Sequence, residues 1–139
     1  MARALVDTGA VVALINRDDR YHHSAVHWFQ QFRGQLLTTE AVITETAYVL
    51  AASPIHQQAA LVWFGRACSA ELLRVEPVGD HAALARIIAK YASLPCDYAD
   101  ATLIALAERT GVTAIATIDQ RDFSIYRVRG RKCFRILLD

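Results

Sequence analysis

Short apolar runs of strand character alternate along the chain with stretches whose apolar residues recur every three or four positions, the periods of strand and helix respectively. Ala4 to Val6 reads as a first strand, followed by a helix through Val11 to Ile15. Asn16 to Tyr21 is a polar turn. His22 to Phe32 resumes helical spacing through Ala25, Trp28, Phe29 and Phe32, with Gly34 placed to end it. Leu36 to Thr38 makes a second short strand, Glu40 to Ala52 is helical, and Ser53-Pro54 opens another helix running to about Ala70. Leu72 to Val75 is a third strand, closed by Pro77 and Gly79. Asp80 caps a helix carrying Ala83, Leu84, Ile87, Ile88 and Tyr91 on one side, and Leu94-Pro95 breaks it. Asp97 to Thr110 is the next helix, ended by Gly111. Val112 to Thr117 is a fourth strand and Phe134 to Leu138 a fifth. Strands separated by helices predict an α/β fold: a central parallel sheet of about five strands with helices on both faces, in three α/β/α layers. No repeat, linker or low-complexity stretch interrupts the pattern, so residues 1–139 are expected to form one domain.

Acidic residues interrupt this apolar pattern where strands hand over to helices. Asp7 follows the first strand, Asp119 lies just past the fourth, and Asp97 and Asp100 begin the helix that feeds the fourth. Open α/β sheets place ligands outside the carboxyl ends of their strands, so these positions share one edge. Glu45 must reach that edge from a helix leaning over it. Its neighbours on the helix are Ala41, Val42, Tyr48 and Val49, and no Lys or Arg lies between Gly34 and Gly65. A lone Glu on such a face is costly unless it is paired or binds a ligand. Each Asp also has a local explanation: Asp7 and Asp97 as helix caps, Asp100 as a first-turn acid, and Asp119 as the start of a short helix. Capping alone does not predict their convergence. Two carboxylates about 4 Å apart repel by roughly 4 kcal/mol at an effective dielectric of about 20. They must therefore be kept apart, share protons, or hold a hard divalent cation, and the cation is the expected answer.

Composition narrows the alternatives. Hydrophobic residues make up 54 % and charged ones 21 % of 139 residues, which suits a packed globule rather than a disordered chain. Apolar runs such as Ala47 to Ala52 fall far short of the roughly 20 residues that a membrane span needs. The first residues already read as strand rather than as a signal peptide. Cys68, Cys96 and Cys133 are scattered, without a CxxC pairing, as expected of reduced thiols in the cytoplasm. His23 and His27 share a helical face but lack the Glu of an HExxH motif. Net charge is only +1, yet Arg121, Arg127, Arg129, Arg131, Lys132 and Arg135 crowd the last segment against the single acid Asp122. Such a segment suits either a polyanion or a protected edge strand. Neither a P-loop nor a GxGxxG is present. The adjacent acids and Lys of a phosphoacceptor receiver, and the Asp-x-Asp of a phosphatase, are not at the required places.

Four segments, LVDTGAVVAL, VITETAYVL, LPCDYADATLIALAERTG and IATIDQRDF, together resemble the PIN-domain family of metal-dependent ribonucleases, specifically VapC-type toxins of toxin–antitoxin pairs. They occur in the family's order and at similar spacing, over essentially the whole chain. The resemblance implies that Asp7, Glu45, Asp100 and Asp119 form the acidic quartet that binds Mg²⁺ (with Mn²⁺ able to substitute) and carries catalysis. Asp97 and Asp122 match additional acidic positions, Asp97 being either a further metal ligand or the helix cap, and Thr8 and Thr117 match hydroxyl residues that orient carboxylates or water. Arg121, Arg127, Arg129 and Arg131 are weaker candidates for RNA phosphate contacts. Hard carboxylate oxygens suit such ions, which activate water for in-line attack on a phosphodiester. The implied protein is a cytoplasmic endoribonuclease toxin acting on RNA, neutralised by a VapB-type antitoxin and forming a homodimer. The alternatives are a non-catalytic PIN-like binding module and a housekeeping RNA-processing nuclease of the same fold.

Overall fold

The computed structural model describes residues 2–139. In chain order the elements are β1 (Ala2–Val6), α1 (Thr8–Ile15), α2 (His22–Gln31), β2 (Gly34–Thr39), α3 (Glu40–Val49), α4 (Pro54–Ser69), β3 (Leu73–Glu76), α5 (His81–Lys90), α6 (Tyr98–Thr110), β4 (Ala114–Ala116), α7 (Gln120–Ile125), β5 (Arg127–Val128), β6 (Lys132–Cys133) and β7 (Arg135–Ile136). Five strands form one sheet in the order β3-β2-β1-β4-β7, and every pairing in it is parallel. The chain winds outward from β1 to β3 and then returns to place β4 on the other side of β1. That reversal is the switch point at which sheets of this kind open a crevice.

The two-residue strand period divides the core between the two faces. Leu5, Leu37 and Ile115 point into one cluster, with Val42, Leu84, Leu103, Leu106, Phe123 and Tyr126. Ala4, Val6, Leu36, Ala114 and Ala116 point into the other, with Val11, Ala25, Trp28 and Phe64. Helix α6 is enclosed: Ala99 to Ala107 are buried without a break, as befits a helix apolar all round. Its one buried hydroxyl residue in that run, Thr102, donates to Ala99 O at 2.7 Å and meets Thr39 Oγ1 at 2.8 Å. Thr38 ties β2 to β1 by donating to Val6 O at 3.0 Å. These bonds fix the start of α6 against the sheet edge, where its acidic residues lie.

Three details differ from the sequence pattern. Gly34 does not end α2, whose cap is Phe32; it opens β2 beside Ala2, at φ 151°, where an added Cβ would sit 2.0 Å from Ala2 O. The glycine is required by the sheet, not the helix. The last sheet strand is shorter than expected, and ahead of it β5 and β6 form an antiparallel hairpin. Its turn places Arg129 and Gly130 at φ 53° and 72°, and Arg131 N–H donates to Val128 O at 3.1 Å, the pattern of a primed hairpin turn. Finally, the apolar face of α3 around Glu45 is only partly covered: Val42 is buried, whereas Tyr48 is 80 % and Val49 52 % exposed.

Candidate active site

The register of the central strands sets the geometry. Leu5 pairs with Ile115 and Val6 with Ala116, so β1 and β4 end level and Asp7 and Thr117 emerge side by side. Asp7 is the N-cap of α1, and its Oδ1 accepts from Thr8 N–H at 2.8 Å. Its Oδ2 accepts from the Thr117 hydroxyl, also at 2.8 Å. That hydroxyl in turn accepts from Asp119 N–H at 2.9 Å. Asp119 caps α7 through Asp122 N–H at 2.9 Å, and Asp97 caps α6 through Asp100 N–H at 2.8 Å. Capping and clustering are therefore both true, because three caps open onto one crevice. Asp97 is the cap, while Asp100, one turn further, is buried and accepts a 2.9 Å bond from the Tyr126 hydroxyl on Oδ2.

Asp100, Asp119 and Asp122 offer carboxylate oxygens that all lie within 4.8 Å of one another. Asp7 and Asp97 adjoin them closely enough to disfavour each other's neighbours as anions. Burial, and then the charges of Asp7 and Asp97, push the Asp100 carboxyl up to about 8. Burial pushes Asp7 up to about 6 against the opposing hydrogen bonds from Thr117 and Thr8. Glu45, half-buried on α3, is pushed up to about 7 by burial and by Asp97 and Asp7. Burial and Asp119 also raise Asp122, with Arg121 acting in the opposite direction.

No lysine or arginine pairs with any of these carboxylates. Among the described residues the one ion pair is Arg74–Glu76, at 3.3 Å. The donor set is all oxygen, crowded and unneutralised, which is the chemistry that a hard divalent cation satisfies. Thr8 Oγ1 is buried without a hydrogen bond of good geometry, although it lies near enough to Glu45 to favour its anion. A polar group left over beside the acids is a further sign that the crevice is built for an additional ligand.

The expected basic residues are distributed differently. Arg121 is exposed beside Asp122. Arg127 turns its guanidinium onto the carbonyls of Ser124, Ile125 and Tyr126 and so closes the end of α7. Arg129 bonds Glu108 O at 2.9 Å, far along α6 from Asp100, and Arg131 is exposed on the hairpin. Tyr126 has no role in the sequence pattern, and Tyr91 appears there only on the apolar side of its helix. The one available signal was a tyrosine spaced three residues from Phe123 on a core-facing helix, since a buried phenol needs a hydrogen-bond partner.

Comparison with known proteins extends this picture. A model of the PIN domain matches residues 4–130. No curated protein sequence matches significantly. Among solved structures, the crystal structure of Mycobacterium tuberculosis VapC20, described as a sarcin–ricin loop cleaving toxin, is similar at a TM-score of 0.72. It is 21 % identical, with 86 % of this chain and 92 % of that chain covered. At that identity the likeness speaks for the fold, and the fold is the five-stranded parallel sheet flanked by helices described above. The carboxylate crevice at the sheet's switch point therefore sits in a known architecture: the chain belongs to the PIN-domain family.

Proposed function

We propose that the protein is a Mg²⁺-dependent endoribonuclease toxin of VapC type. The observation that carries this reading is the gathering of Asp7, Glu45, Asp97, Asp100, Asp119 and Asp122 around one crevice with no basic partner. Asp100, Asp119 and Asp122, whose oxygens lie within 4.8 Å of one another, would hold the cation, with Asp7 and Glu45 beside them; Mn²⁺ has the same ligand preference. When bound, the cation supplies an activated water and positive charge for the attacked phosphodiester. The chain's own residues do the rest. Thr117 orients Asp7, the Asp97 cap fixes the first turn of α6, and the buried body of α6 excludes water from behind the crevice. Hydrolysis by water with the 3′-oxygen as leaving group yields 5′-phosphate and 3′-hydroxyl ends. Products ending in 2′,3′-cyclic phosphate would contradict the mechanism.

An RNA substrate, a protein antitoxin and self-association follow from the same reading. Supporting the first is the exposed Arg121 at the crevice edge. Supporting a protein partner is an apolar groove of about 530 Å³ on the other face of the sheet, lined by Ile15, Phe29, Val62, Trp63, Ala67 and Leu72. Exposed Tyr48, Val49 and Ile55 offer apolar surface for a second copy. No helix among the described residues is long and apolar enough to cross a membrane, as a cytoplasmic toxin requires.

The test is incubation of the partner-free protein with total cellular RNA in Mg²⁺ or EDTA. Discrete cuts that need Mg²⁺ and disappear in Asp7→Asn and Asp100→Asn are expected. RNA left whole across several divalent metals would favour a non-catalytic binding module. Cutting without growth arrest on expression would favour a housekeeping nuclease.

A further inference from the structure

Tyr126 stands out among the buried polar groups of the molecule because its hydroxyl has a single carboxylate acceptor, and that carboxylate belongs to the crevice. The side chain is fully buried. Its hydroxyl donates to Asp100 Oδ2 at 2.9 Å, with the Cys96 thiol as its other polar neighbour. The ring is wedged edge-on between Tyr91 and Phe123, at centroid distances of 4.9 and 5.0 Å. Tyr91 is itself anchored, since its hydroxyl accepts from Arg127 N–H at 2.9 Å. The phenol therefore has no freedom to swing away from Asp100.

Asp100 is consequently held twice. Its backbone N–H is tied to the Asp97 cap, and one of its two side-chain oxygens is tied to Tyr126. Only Oδ1 is left without a partner among the described residues. At Asp7 a hydroxyl, that of Thr117, likewise takes Oδ2, although there Oδ1 also accepts, from Thr8 N–H. A hydrogen bond to the far oxygen of a ligating carboxylate fixes its rotamer and selects which atom is presented. The aromatic cluster then has a task besides packing, because it is the mount for that hydrogen bond.

We infer that Tyr126 is a positioning residue of the cation site: it holds Asp100 so that Oδ1 faces the crevice, and thereby raises the site's affinity for a divalent ion. This rests on the metal-site reading above. Partners that orient metal ligands typically contribute 10- to 100-fold in affinity.

The experiment measures Mn²⁺ binding to the whole purified chain without RNA, by calorimetry and by electron paramagnetic resonance of free Mn²⁺. Wild type is compared with Tyr126→Phe, Tyr91→Phe and Asp100→Asn. Tyr126→Phe keeps the ring and its packing and loses one oxygen. Its Mn²⁺ affinity should fall about tenfold or more, and the Mg²⁺ concentration for half-maximal RNA cutting should rise while the rate at saturating metal largely recovers. Tyr91→Phe keeps the ring that flanks Tyr126 and loses a hydroxyl that does not touch Asp100, so it should leave Mn²⁺ affinity as it is. Melting curves in EDTA show that each variant is folded. Equal Mn²⁺ affinity in wild type and Tyr126→Phe would overturn the inference, as would an equal loss in both tyrosine variants, which would mark general packing. A wild type that binds no Mn²⁺ would overturn the metal site itself and this inference with it.

Discussion

Asp100 is in conflict with its surroundings: it is buried, apolar residues enclose the helix that carries it, and other acids crowd it. Replacing it with Asn removes the conflict together with the proposed metal ligand. In EDTA at pH 8, Asp100→Asn should therefore melt above wild type, whereas at pH 5, where wild-type Asp100 is protonated, the two should melt close together. RNA cutting should fall by at least about 100-fold in the same variant, the order of loss seen when a preorganised group is removed from a reaction centre. A variant that is destabilised at pH 8 and still cuts would contradict both claims. Gly9 gives a second residue-level test. A Cβ there would lie 2.5 Å from Ile118 Cγ1 and 2.8 Å from Cδ1, and Ile118 is followed directly by Asp119. Gly9→Ala should cost about 1–3 kcal/mol in urea unfolding, as overpacking does, and should weaken Mn²⁺ binding by displacing Asp119. Asp7, Asp97 and Asp119 were legible in the sequence because capping is local chemistry. Tyr126 was not, since the value of its hydroxyl depends on a contact 26 positions away.

Among the elements, α6 couples core to crevice. It carries Asp100 in its first turn and Leu103, Ile104 and Leu106 in the middle of one core cluster. Leu103→Ala should cost about 2–5 kcal/mol by equilibrium unfolding. In the surviving folded fraction it should also weaken cation binding, because a settled α6 carries Asp100 with it. A stability loss with unchanged Mn²⁺ affinity would show the first turn to be anchored independently by Asp97. The alternation of strand and helix periods made most elements readable in advance, from the short first strand to the long helix closed by Gly111. What escaped has a physical reason. Strands β5 and β6 are two residues each, too short for any period to register. Their turn uses Arg129 at positive φ instead of a signalling Asn-Gly pair. Gly34 suits a helix end as well as a strand start, and only its pairing to Ala2, a long-range contact, decides between them. Glu45 was placed by its lack of a basic neighbour, although its helix face is more open than the apolar pattern implied.

Over the whole molecule, the crowded acids link folding to pH. Asp7, Glu45 and Asp100 are raised to about 6, 7 and 8, above the values near 4 expected for an unfolded chain. The folded chain thus holds more protons than the unfolded one across that interval. This part of the stability is fully present below about pH 4 and is lost as pH rises through 6 to 8. A cation bound by the folded state alone restores it. The melting-temperature gain of Mg²⁺ over EDTA should therefore be small at pH 5 and grow toward pH 8, and an equal gain at both would show that the acids are not the binding group. The three caps also have an electrostatic consequence. Helices α1 and α6 both begin at the crevice, and the aligned peptide dipoles of each place roughly half a positive charge at that end. The backbone itself thus tempers the repulsion among the acids, and no side-chain substitution removes that field. Asn caps a helix about as well as Asp, whereas Ala does not. Comparing Asn with Ala at Asp7 and at Asp97 therefore separates what the charge does from what the helix start does.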